Sequence, residues 1–414
     1  MSVEATTSGP IIERLEHHLK IEEYSSSATG QRIASARHFL SYLQEHHVGV
    51  DAVEPAHVQE YLEHKLRIYR KRHGGKPTDM SGWRWDHTRG IHLLLRVVKG
   101  KWPPTSEATG PQEQARWEMC DTYAQWLADA RGLASKTIHN RRAEALHFLD
   151  SLAGAKHVSQ ITVADLDKHI TSRAPQLKRV TRQHVVTDLR SFLRYLHAQG
   201  QITNDLSCAL MSTRRYAFEG IPSALRAEHV DVVLKATQKD CTTKGLRDYA
   251  ILMLLSTYGL RAGEVTSLRL DDLDWRQDRL HIRHSKTGCE SFLPLLAPAG
   301  EAILTYLQKA RPATKSREVF LRVRAPFKSL RSGTSLYHMV EHRLQEAGIT
   351  LQRKHGPHAF RHALAVSLLH AAVPMKSIGD VLGHRSTAST AVYLKLATSE
   401  LRTIGLDVPL EVRS

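Results

Sequence analysis

The sequence predicts a mainly α-helical protein with a small β-sheet in its C-terminal half. Apolar residues recur at helical spacing through residues 1–212. Residues 246–258 form an apolar helical stretch that ends at Gly259, a residue typical of helix C-caps. Residues 279–284 alternate apolar and polar side chains, and after a turn the chain returns over residues 291–295, as in a β-hairpin.

The N-terminal helical region contains a repeat. Two apolar stripes match at an offset of 109 residues: Ala36, Leu40 and Leu43, then Ala145, Leu149 and Leu152. Ser26 and Ser135 keep the same offset in front of helical patterns, so we expect both to be N-caps. Later positions match at shorter offsets, which predicts a longer loop in the first copy, at residues 71–82. Unrelated helical bundles can share such stripes, but their recurrence in the same order favours a duplication.

Two stretches rich in proline, glycine, serine and threonine divide the chain. Residues 101–110 are interpreted as a linker, and residues 211–222 end at Pro222, which is expected to open a new helix. Further helical patterns follow, the last over residues 391–402. We predict three domains, at 1–105 (helical), 112–212 (helical) and 218–405 (helices with the small sheet).

The charge of the chain indicates a polyanionic partner. Its 414 residues include 58 Lys and Arg against 42 Asp and Glu, a formal net charge of +16 with neutral histidines, and the pI is about 9.7. Such an excess of positive charge favours nucleic acid. Hydrophobic residues make up 41% and charged residues 24%, which excludes a disordered basic tail or a collagen-like chain.

Several other classes of protein are disfavoured. The four cysteines form no CxxC pair, so neither a zinc ribbon nor a disulfide scaffold is expected. The histidine doublets at 17–18 and 46–47 lack a third ligand spaced for a metal, and no metal site is predicted. The first residues lack a signal-peptide pattern, and the longest strongly apolar run, 250–255, is too short to span a bilayer. We expect a cytoplasmic protein without a membrane partner, associated with the nucleoid when bound to DNA.

Six residues of the third domain form a chemically complementary set. They are Arg261, Arg361, Lys286, His358, His384 and Tyr393. Taken singly, each has a more ordinary explanation, such as a helix-end cation, a solvated lysine, a surface histidine or a core aromatic residue. Taken together, they are a cationic set without a carboxylate cluster. Such a set suits a phosphorane-like transition state, because guanidinium groups bind its oxygens and a phenol can act as the nucleophile.

The order and spacing of these residues resemble those of the catalytic motifs in the tyrosine recombinases of the phage integrase family. Within that family, the sequence is most similar to the bacterial Xer-like type. The matching motifs are GLRxxE, a hairpin lysine, HxxRH, LGH, and a tyrosine nine residues after the histidine of LGH. One motif alone would be weak evidence, but five in order are specific. The resemblance covers residues 112–405. It includes WLADARGLASKTIHNRRAEALHFLDSL, which is similar to the start of the family's core DNA-binding domain.

The resemblance implies covalent chemistry on DNA. Tyr393 would attack the scissile phosphate, which gives a 3′-phosphotyrosyl link and a 5′-hydroxyl, while Arg261 and Arg361 would bind the non-bridging oxygens. The covalent link conserves the energy of the phosphodiester bond. We therefore expect no cofactor, neither ATP nor an obligatory metal ion.

The other site residues are assigned supporting roles by the same resemblance. Lys286 would protonate the leaving 5′-oxygen, His358 would assist proton transfer at the nucleophile, and His384 would donate a hydrogen bond to the phosphate. Glu264 and Asp380 would orient histidine or arginine side chains, although a structural salt bridge is an equal alternative for both.

Double-stranded DNA is the implied partner, held between the last two domains. Candidate DNA-contacting cations lie in both helical domains: Arg67, Arg70, Lys71, Arg72, Lys136, Arg141, Arg142, Lys178, Arg179 and Arg182. Since the first domain resembles an extra core-binding (SAM-like) unit, we expect it to bind DNA; a solvated basic face or a subunit contact is the alternative. Two cuts on each of two duplexes imply a tetramer, of one chain or with partner recombinases. The residues after Tyr393 are expected to pack either against a neighbouring subunit or within their own subunit.

Three other functions fit the sequence less well than an integrase or transposase of a mobile element or plasmid. A catalytically silent DNA-binding protein would not need the complete set of motifs. A type IB topoisomerase shares the tyrosine chemistry, but the Xer-like helical domain favours recombination. A metal-dependent nuclease would need a carboxylate cluster. His355 and His362, which flank the arginine motif, are interpreted as structural.

Overall fold

The fold is mainly helical with one small antiparallel sheet, as the sequence predicts. The computed structural model describes residues 8–104, 108, 110–152, 157–211, 225–284, 288–330, 333–350, 356–384, 386–391 and 393–394. Of the helices in these ranges, none is long and apolar enough to cross a membrane.

Four helices form the N-terminal unit: α1 (Ser8–Ile21), α2 (Ser26–Glu45), α3 (Pro55–His73) and α4 (Met80–Lys99). They share one apolar core, in which Ala36 and Leu43 of the predicted α2 stripe are almost wholly buried. Phe39 of α2 packs edge-on against Tyr61 of α3, with 5.2 Å between the ring centroids. The stripe thus faces the core, as its spacing predicts.

Four further helices follow in the same order: α5 (Pro111–Asp129), α6 (Ser135–Ser151), α7 (Val163–Arg173) and α8 (Arg179–Ala198). In both units a short 3-10 turn precedes the third helix. The second stripe is also buried in its own core. Arg96 of α4 and Arg194 of α8 occupy matching positions, and each bonds the segment that follows its helix, at Trp102 O and Ser207 Oγ. The shared order and contacts support a duplication.

The predicted serine caps are wrong by one residue. The N-cap of α2 is Ser25, whose hydroxyl accepts a hydrogen bond from Ala28 N–H, and Ser26 is already helical. Ser135 is likewise the first residue of α6, after Ala134, whose side chain makes no cap. Both cap residues have extended backbone angles, and an N-cap needs that conformation, whatever its side chain.

The longer loop predicted at residues 71–82 is helical at both ends, because α3 continues to His73 and α4 begins at Met80. Helix α3 has 19 residues against 11 in α7, and it ends at Gly74 in a left-handed conformation. The basic residues of its last turn interact favourably with the negative end of the helix dipole, which helps α3 to continue.

The C-terminal unit is built around a buried helix. Its helices are α9 (Ala227–Gln238), α10 (Thr243–Tyr258), α11 (Ala262–Ser267), α12 (Ala297–Lys309), α13 (Gly333–Glu346), α14 (Pro357–His370), α15 (Met375–Val381) and α16 (Thr387–Ala391). Helix α10 packs against α9, α12 and α14, which explains why its residues 250–255 are all apolar. The predicted helix and its C-cap at Gly259 are confirmed.

The predicted hairpin is also confirmed. Strands β1 (Leu273–Asp274), β2 (Arg279–His284) and β3 (Cys289–Pro294) form an antiparallel sheet in the order β1-β2-β3. Leu280 and Ile282 of β2 face the core. The hydroxyl of Tyr258, at the end of α10, donates to Pro294 O at 2.9 Å and accepts from Leu296 N–H at 2.8 Å. These bonds fix the hairpin to the central helix.

Two predicted helix ends fall outside the described residues. Pro222 is one of them, and the first helix of the C-terminal unit begins at Ala227. The predicted helix at 391–402 begins at the last residue of α16 and is described only at 391 and 393–394.

Backbone proximity divides the chain into two compact parts. One part consists of Met1–Pro104 together with Phe218–Ser414, and the other consists of Thr105–Ala217. Within the first of these, the ammonium of Lys328 is 3.2 Å from the carboxylate of Glu22. The three largest apolar cores among the described residues nevertheless fall one in each of the three predicted segments. The three-domain boundaries stay a prediction.

Candidate active site

A tight turn between α10 and α11 positions Arg261. Gly259 has φ +60°, which ends α10 and turns the chain sharply. Arg261 is then the N-cap of α11, and Glu264 reaches back to it. The Glu264 carboxylate accepts from Arg261 Nη1 at 2.7 Å and from the Arg261 backbone N–H at 2.8 Å. The guanidinium is therefore held by its own helix start.

Glu264 is buried and charged. Burial by itself would raise the pKa of this carboxyl, but hydrogen bonds from His284 and Arg261 outweigh burial and lower the pKa. A buried carboxylate with such partners orients its neighbours. This arrangement is the one expected if Glu264 supports Arg261.

Arg361 is the second buried guanidinium of the site. It lies on α14 with 4% of its surface exposed. Its Nη1 donates to Gly259 O at 2.8 Å, and its Nη2 donates to Leu382 O. Burial and the nearby charge of Arg261 lower the pKa of this guanidinium. Arg361 thus joins the ends of α10 and α15 and lies close to Arg261.

Tyr393 lies just beyond α16 and is only 4% exposed. It packs in a small apolar cluster with Ala365, Ile378 and Leu382. Burial raises the pKa of the phenol, and the charge of the nearby Arg361 guanidinium acts in the opposite direction. The phenol therefore keeps its proton at neutral pH, and a nucleophilic role needs a base.

His384 lies near the tyrosine and within the influence of both arginine charges. It follows Gly383, which has φ +62°. Its Nδ1 is 2.8 Å from the hydroxyl of Thr390, and its ring is nearly parallel to that of Tyr393, with centroids 6.2 Å apart. Burial and then the charge of Arg361 lower the pKa of His384 to about 4. The imidazole is therefore neutral at neutral pH.

Among the described histidines, the ring closest to Tyr393 is that of His362, a residue that the sequence pattern predicts to be structural. The two ring centroids are 5.4 Å apart. Burial lowers the pKa of His362 to about 4, and its Nδ1 has no hydrogen-bond partner among the described residues. His358, one turn earlier on α14, is exposed, and its ring is 6.4 Å from that of His362.

His284 is a site residue that the motifs do not identify. It is the last residue of β2, is 4% exposed, and its Nδ1 is 2.7 Å from Glu264 Oε1. A signal is present in the sequence, because Leu280 and Ile282 point inward and the period of a strand places His284 on the same face. A buried histidine at that position needs a polar partner.

Two other predicted site residues have different outcomes. Lys286 lies outside the described residues. Asp380 is exposed at the end of α15, and among the described residues the structure shows no donor that makes a hydrogen bond to its carboxylate. Its backbone carbonyl instead accepts from Gly383 N–H at 3.0 Å. The geometry therefore gives no orienting contact to Asp380.

The candidate DNA-contacting residues of the N-terminal unit are exposed on the last two turns of α3. They are Arg67, Arg70, Lys71 and Arg72. Tyr69 lies among them, with its ring 4.3 Å from that of His73 and 6.4 Å from that of Trp83 on α4. The surface combines cations with aromatic rings.

Three candidate cations of the second unit lie at helix starts. Lys136 is in the first turn of α6, and Lys178 and Arg179 are the N-cap and the first residue of α8. All three are exposed. Their position allows contact with an anionic partner.

The remaining candidates are engaged inside that unit. Arg141 Nη1 donates to Ser191 Oγ at 3.1 Å, and Arg142 Nε donates to Asp121 at 2.6 Å. Arg182 Nε donates to Leu177 O at 3.0 Å. These bonds indicate that the three arginines also stabilise the helical unit itself.

Comparison with known proteins relates this geometry to a family. The model of the phage integrase family matches residues 223–400. A protein of Sinorhizobium fredii named as putative integrase/recombinase y4rA is 33% identical over 392 residues, which are 94% of this chain and 92% of that protein. A second one from this organism, y4gC, is 54% identical over 189 residues, which are 46% of this chain and 97% of its own length.

Solved structures share the fold. The XerH site-specific recombinase bound to palindromic difH substrate, in a post-cleavage complex, has a TM-score of 0.56 at 17% identity and covers 73% of this chain and 90% of its own. A lambda integrase tetramer bound to a Holliday junction has a TM-score of 0.52 at 18% identity, over 77% of this chain and 87% of its own.

Fold and relatives together define the class of this protein as a site-specific DNA recombinase. The chain belongs to the phage integrase family, that of the tyrosine recombinases. The resemblance inferred from the five motifs is confirmed.

Proposed function

We propose that this recombinase cuts and rejoins DNA strands through a covalent 3′-phosphotyrosyl intermediate on Tyr393. The observation that supports this most is the buried position of the Tyr393 phenol, close to the Arg361 guanidinium and nearly parallel to the His384 ring. A phosphate bound to Arg361 would lie beside the phenol oxygen. That is the proximity an attacking nucleophile requires.

Two guanidinium groups supply positive charge for the transition state. Each carries five N–H donors. Bonds to Glu264 and Gly383 O use side-chain donors of Arg261, and bonds to two backbone carbonyls use donors of Arg361. The remaining donors would bind the non-bridging oxygens, where charge develops as the phenol attacks.

The proton balance assigns the other roles. As the phenol oxygen bonds to phosphorus, its proton passes to a base and the 5′-oxygen leaves with the bonding electrons. Lys286 would protonate that oxygen, a role that rests on its motif alone. His384 is neutral at neutral pH, so its N–H would stabilise the phosphate, and His358 stays the proposed aid to proton transfer. Rejoining reverses these steps with a new 5′-hydroxyl, so no ATP is consumed.

The assembly we propose is a tetramer on two DNA duplexes. Recombination requires two strand cuts on each duplex, and each cut uses one tyrosine. We propose that this reaction integrates or transposes a mobile element or plasmid in the cytoplasm. The tetramer would consist of this chain alone or of this chain with partner recombinases. The N-terminal unit would bind DNA through the exposed cations of α3 and their aromatic neighbours, and so lengthen the recognised site.

The covalent intermediate can be tested by trapping. A duplex selected by the protein from a random library, with a nick placed near the cleavage point, releases the leaving fragment and retains the adduct. Mass spectrometry of the digested adduct is expected to find nucleotides attached to the peptide that contains Tyr393, through a 3′-phosphate. An adduct on another residue, or one through a 5′-phosphate, would contradict the proposal.

A further inference from the structure

His284 is a buried side chain that touches two of the segments carrying the candidate catalytic groups and stands beside a third. It is 2.7 Å from Glu264, which holds Arg261. Its ring lies directly against Gly383, the residue before His384, because a Cβ built on Gly383 would be 2.6 Å from His284 Cε1. It also ends β2, two residues before Lys286 in the sequence.

The hydrogen bonds of His284 define which ring nitrogen carries a proton. The Glu264 carboxylate is an acceptor only, so Nδ1 must donate to it. Nε2 is 2.9 Å from the hydroxyl of Ser291, on the opposite strand of the hairpin, and this hydroxyl can donate to the ring nitrogen. The imidazole therefore links the hairpin to the start of α11.

Glu264 needs this second donor. Its Oε1 accepts from both Arg261 Nη1 and His284 Nδ1, each at 2.7 Å, and its Oε2 accepts from the Arg261 backbone N–H. With only 3% of Glu264 exposed, water cannot replace a missing donor. A carboxylate with one fewer partner would rotate, and the Arg261 guanidinium would move with it.

We propose that His284 is a positioning residue, which fixes the Glu264 carboxylate and, through it, the Arg261 guanidinium relative to the hairpin that carries Lys286. The inference rests on the proposed function, in that Arg261 and Lys286 act on the same phosphate. His284 itself would not contact DNA. Its loss should therefore slow strand cleavage and leave the affinity for duplex DNA nearly unchanged.

Two substitutions of His284 distinguish the contribution of Nδ1 from that of Nε2. The amide nitrogen of Asn can take the place of Nδ1, whereas that of Gln extends to the place of Nε2. In single-turnover cleavage of the nicked duplex, H284Q is expected to slow the rate by about 10- to 100-fold, because small displacements of a charged group are costly. H284N should stay within about threefold of the unmodified protein, and the Kd for the duplex should change less than about twofold in both.

A double-substitution cycle tests whether His284 acts through Glu264. If it does, E264Q with H284Q should slow cleavage by no more than about the larger single effect, because both remove the same interaction. Equal loss of rate in H284N and H284Q, or effects of E264Q and H284Q that multiply, would overturn the proposal.

Folding and the proposed function are controlled separately. Thermal unfolding is recorded for every variant, and Ser291→Ala, which leaves the ring intact, is expected to slow cleavage in the same direction but less than H284Q. If H284Q does not fold, a normal rate in Ser291→Ala overturns the proposal. An adduct that forms in the unmodified protein and is lost in Tyr393→Phe, together with normal rates in all His284 variants, would refute this inference alone. An adduct that persists in Tyr393→Phe would refute the proposed function instead.

Discussion

The rings of His384 and Tyr393 lie nearly parallel, with their centroids 6.2 Å apart and the Arg361 guanidinium close to the phenol. This arrangement places a neutral imidazole, a protonated phenol and a buried cation around one point. An anion that enters there meets donors from each of them. The catalytic proposal depends on this relationship.

The stability of the folded chain should fall as the pH is lowered through the range from 6.5 to about 4. The folded-state pKa values of His362 and His384 are both about 4, below the ordinary value of 6.5. The unfolded chain therefore binds more protons in this range, so their contribution to stability is complete above pH 6.5 and is lost toward pH 4. Urea unfolding of the full chain at several pH values measures this.

The variant His384→Asn isolates one of the two groups. It should lose less stability between pH 7 and pH 4 than the unmodified chain, because one titrating histidine is gone. Identical pH profiles for the two proteins would show that His384 titrates normally in the folded state.

Gly383→Ala should destabilise the C-terminal unit and abolish cleavage. The new methyl group would lie 2.6 Å from the His284 ring, at a backbone φ of +62°. Gly348→Ala is the matched control, since it has φ +72° and no described atom within 4 Å of its Cβ. Both should lose about 1–2 kcal/mol to backbone strain, and Gly383→Ala should lose about 1–3 kcal/mol more from overpacking. Equal unfolding free energies for the two variants would contradict the described contact.

The sequence predicts those features that depend on local pattern. The apolar run that ends at Gly259 and the alternation from Arg279 are local signals, and α10 and the hairpin follow from them. The cap at Ser25 instead of Ser26 depends on a backbone angle, which neighbouring serines do not reveal. The length of α3 could not be predicted from its basic C-terminal residues, because they suit a loop or a last helical turn equally well.

The arrangement of the site is less predictable, because it joins residues that are distant in the chain. The contact between His284 and Glu264 spans two elements, and the sequence supplies only the inward period of β2. His358 and His362 lie on one helix, and their spacing in the sequence does not reveal that His362 is the one whose ring approaches Tyr393. Asp380 has the right spacing to reach the site but is exposed.

The basic surface of α3 should contribute to DNA binding. Replacing Arg70, Lys71 and Arg72 by Gln in the full chain should shorten the footprint. It should also lower the slope of log K against log salt by about one unit for each phosphate that is no longer bound. The control is a variant with Lys20→Gln and Arg37→Gln, which removes exposed cations from α1 and α2. This variant should leave the footprint and the salt slope unchanged. An unchanged footprint with an altered oligomeric state would make this surface a subunit contact.

Cleavage should persist in EDTA. Two arginines and the hairpin lysine would supply the positive charge that nucleases obtain from metal ions. The rate of adduct formation on the nicked duplex is expected to be the same with and without the chelator. Loss of cleavage in EDTA, restored by added magnesium, would contradict the proposed mechanism.

The most direct test of the central claim is adduct formation by Tyr393→Phe. Phe keeps the ring that packs on Ala365 and Leu382 and removes only the oxygen, so duplex binding should stay within about twofold of the unmodified protein. Tyr249→Phe is the control, since Tyr249 is a half-buried tyrosine that packs against the core of the C-terminal unit. On a denaturing gel, the Tyr249→Phe protein should form the covalent DNA adduct and the Tyr393→Phe protein should form none. An SDS-stable adduct with the Tyr393→Phe protein would show that another residue is the nucleophile.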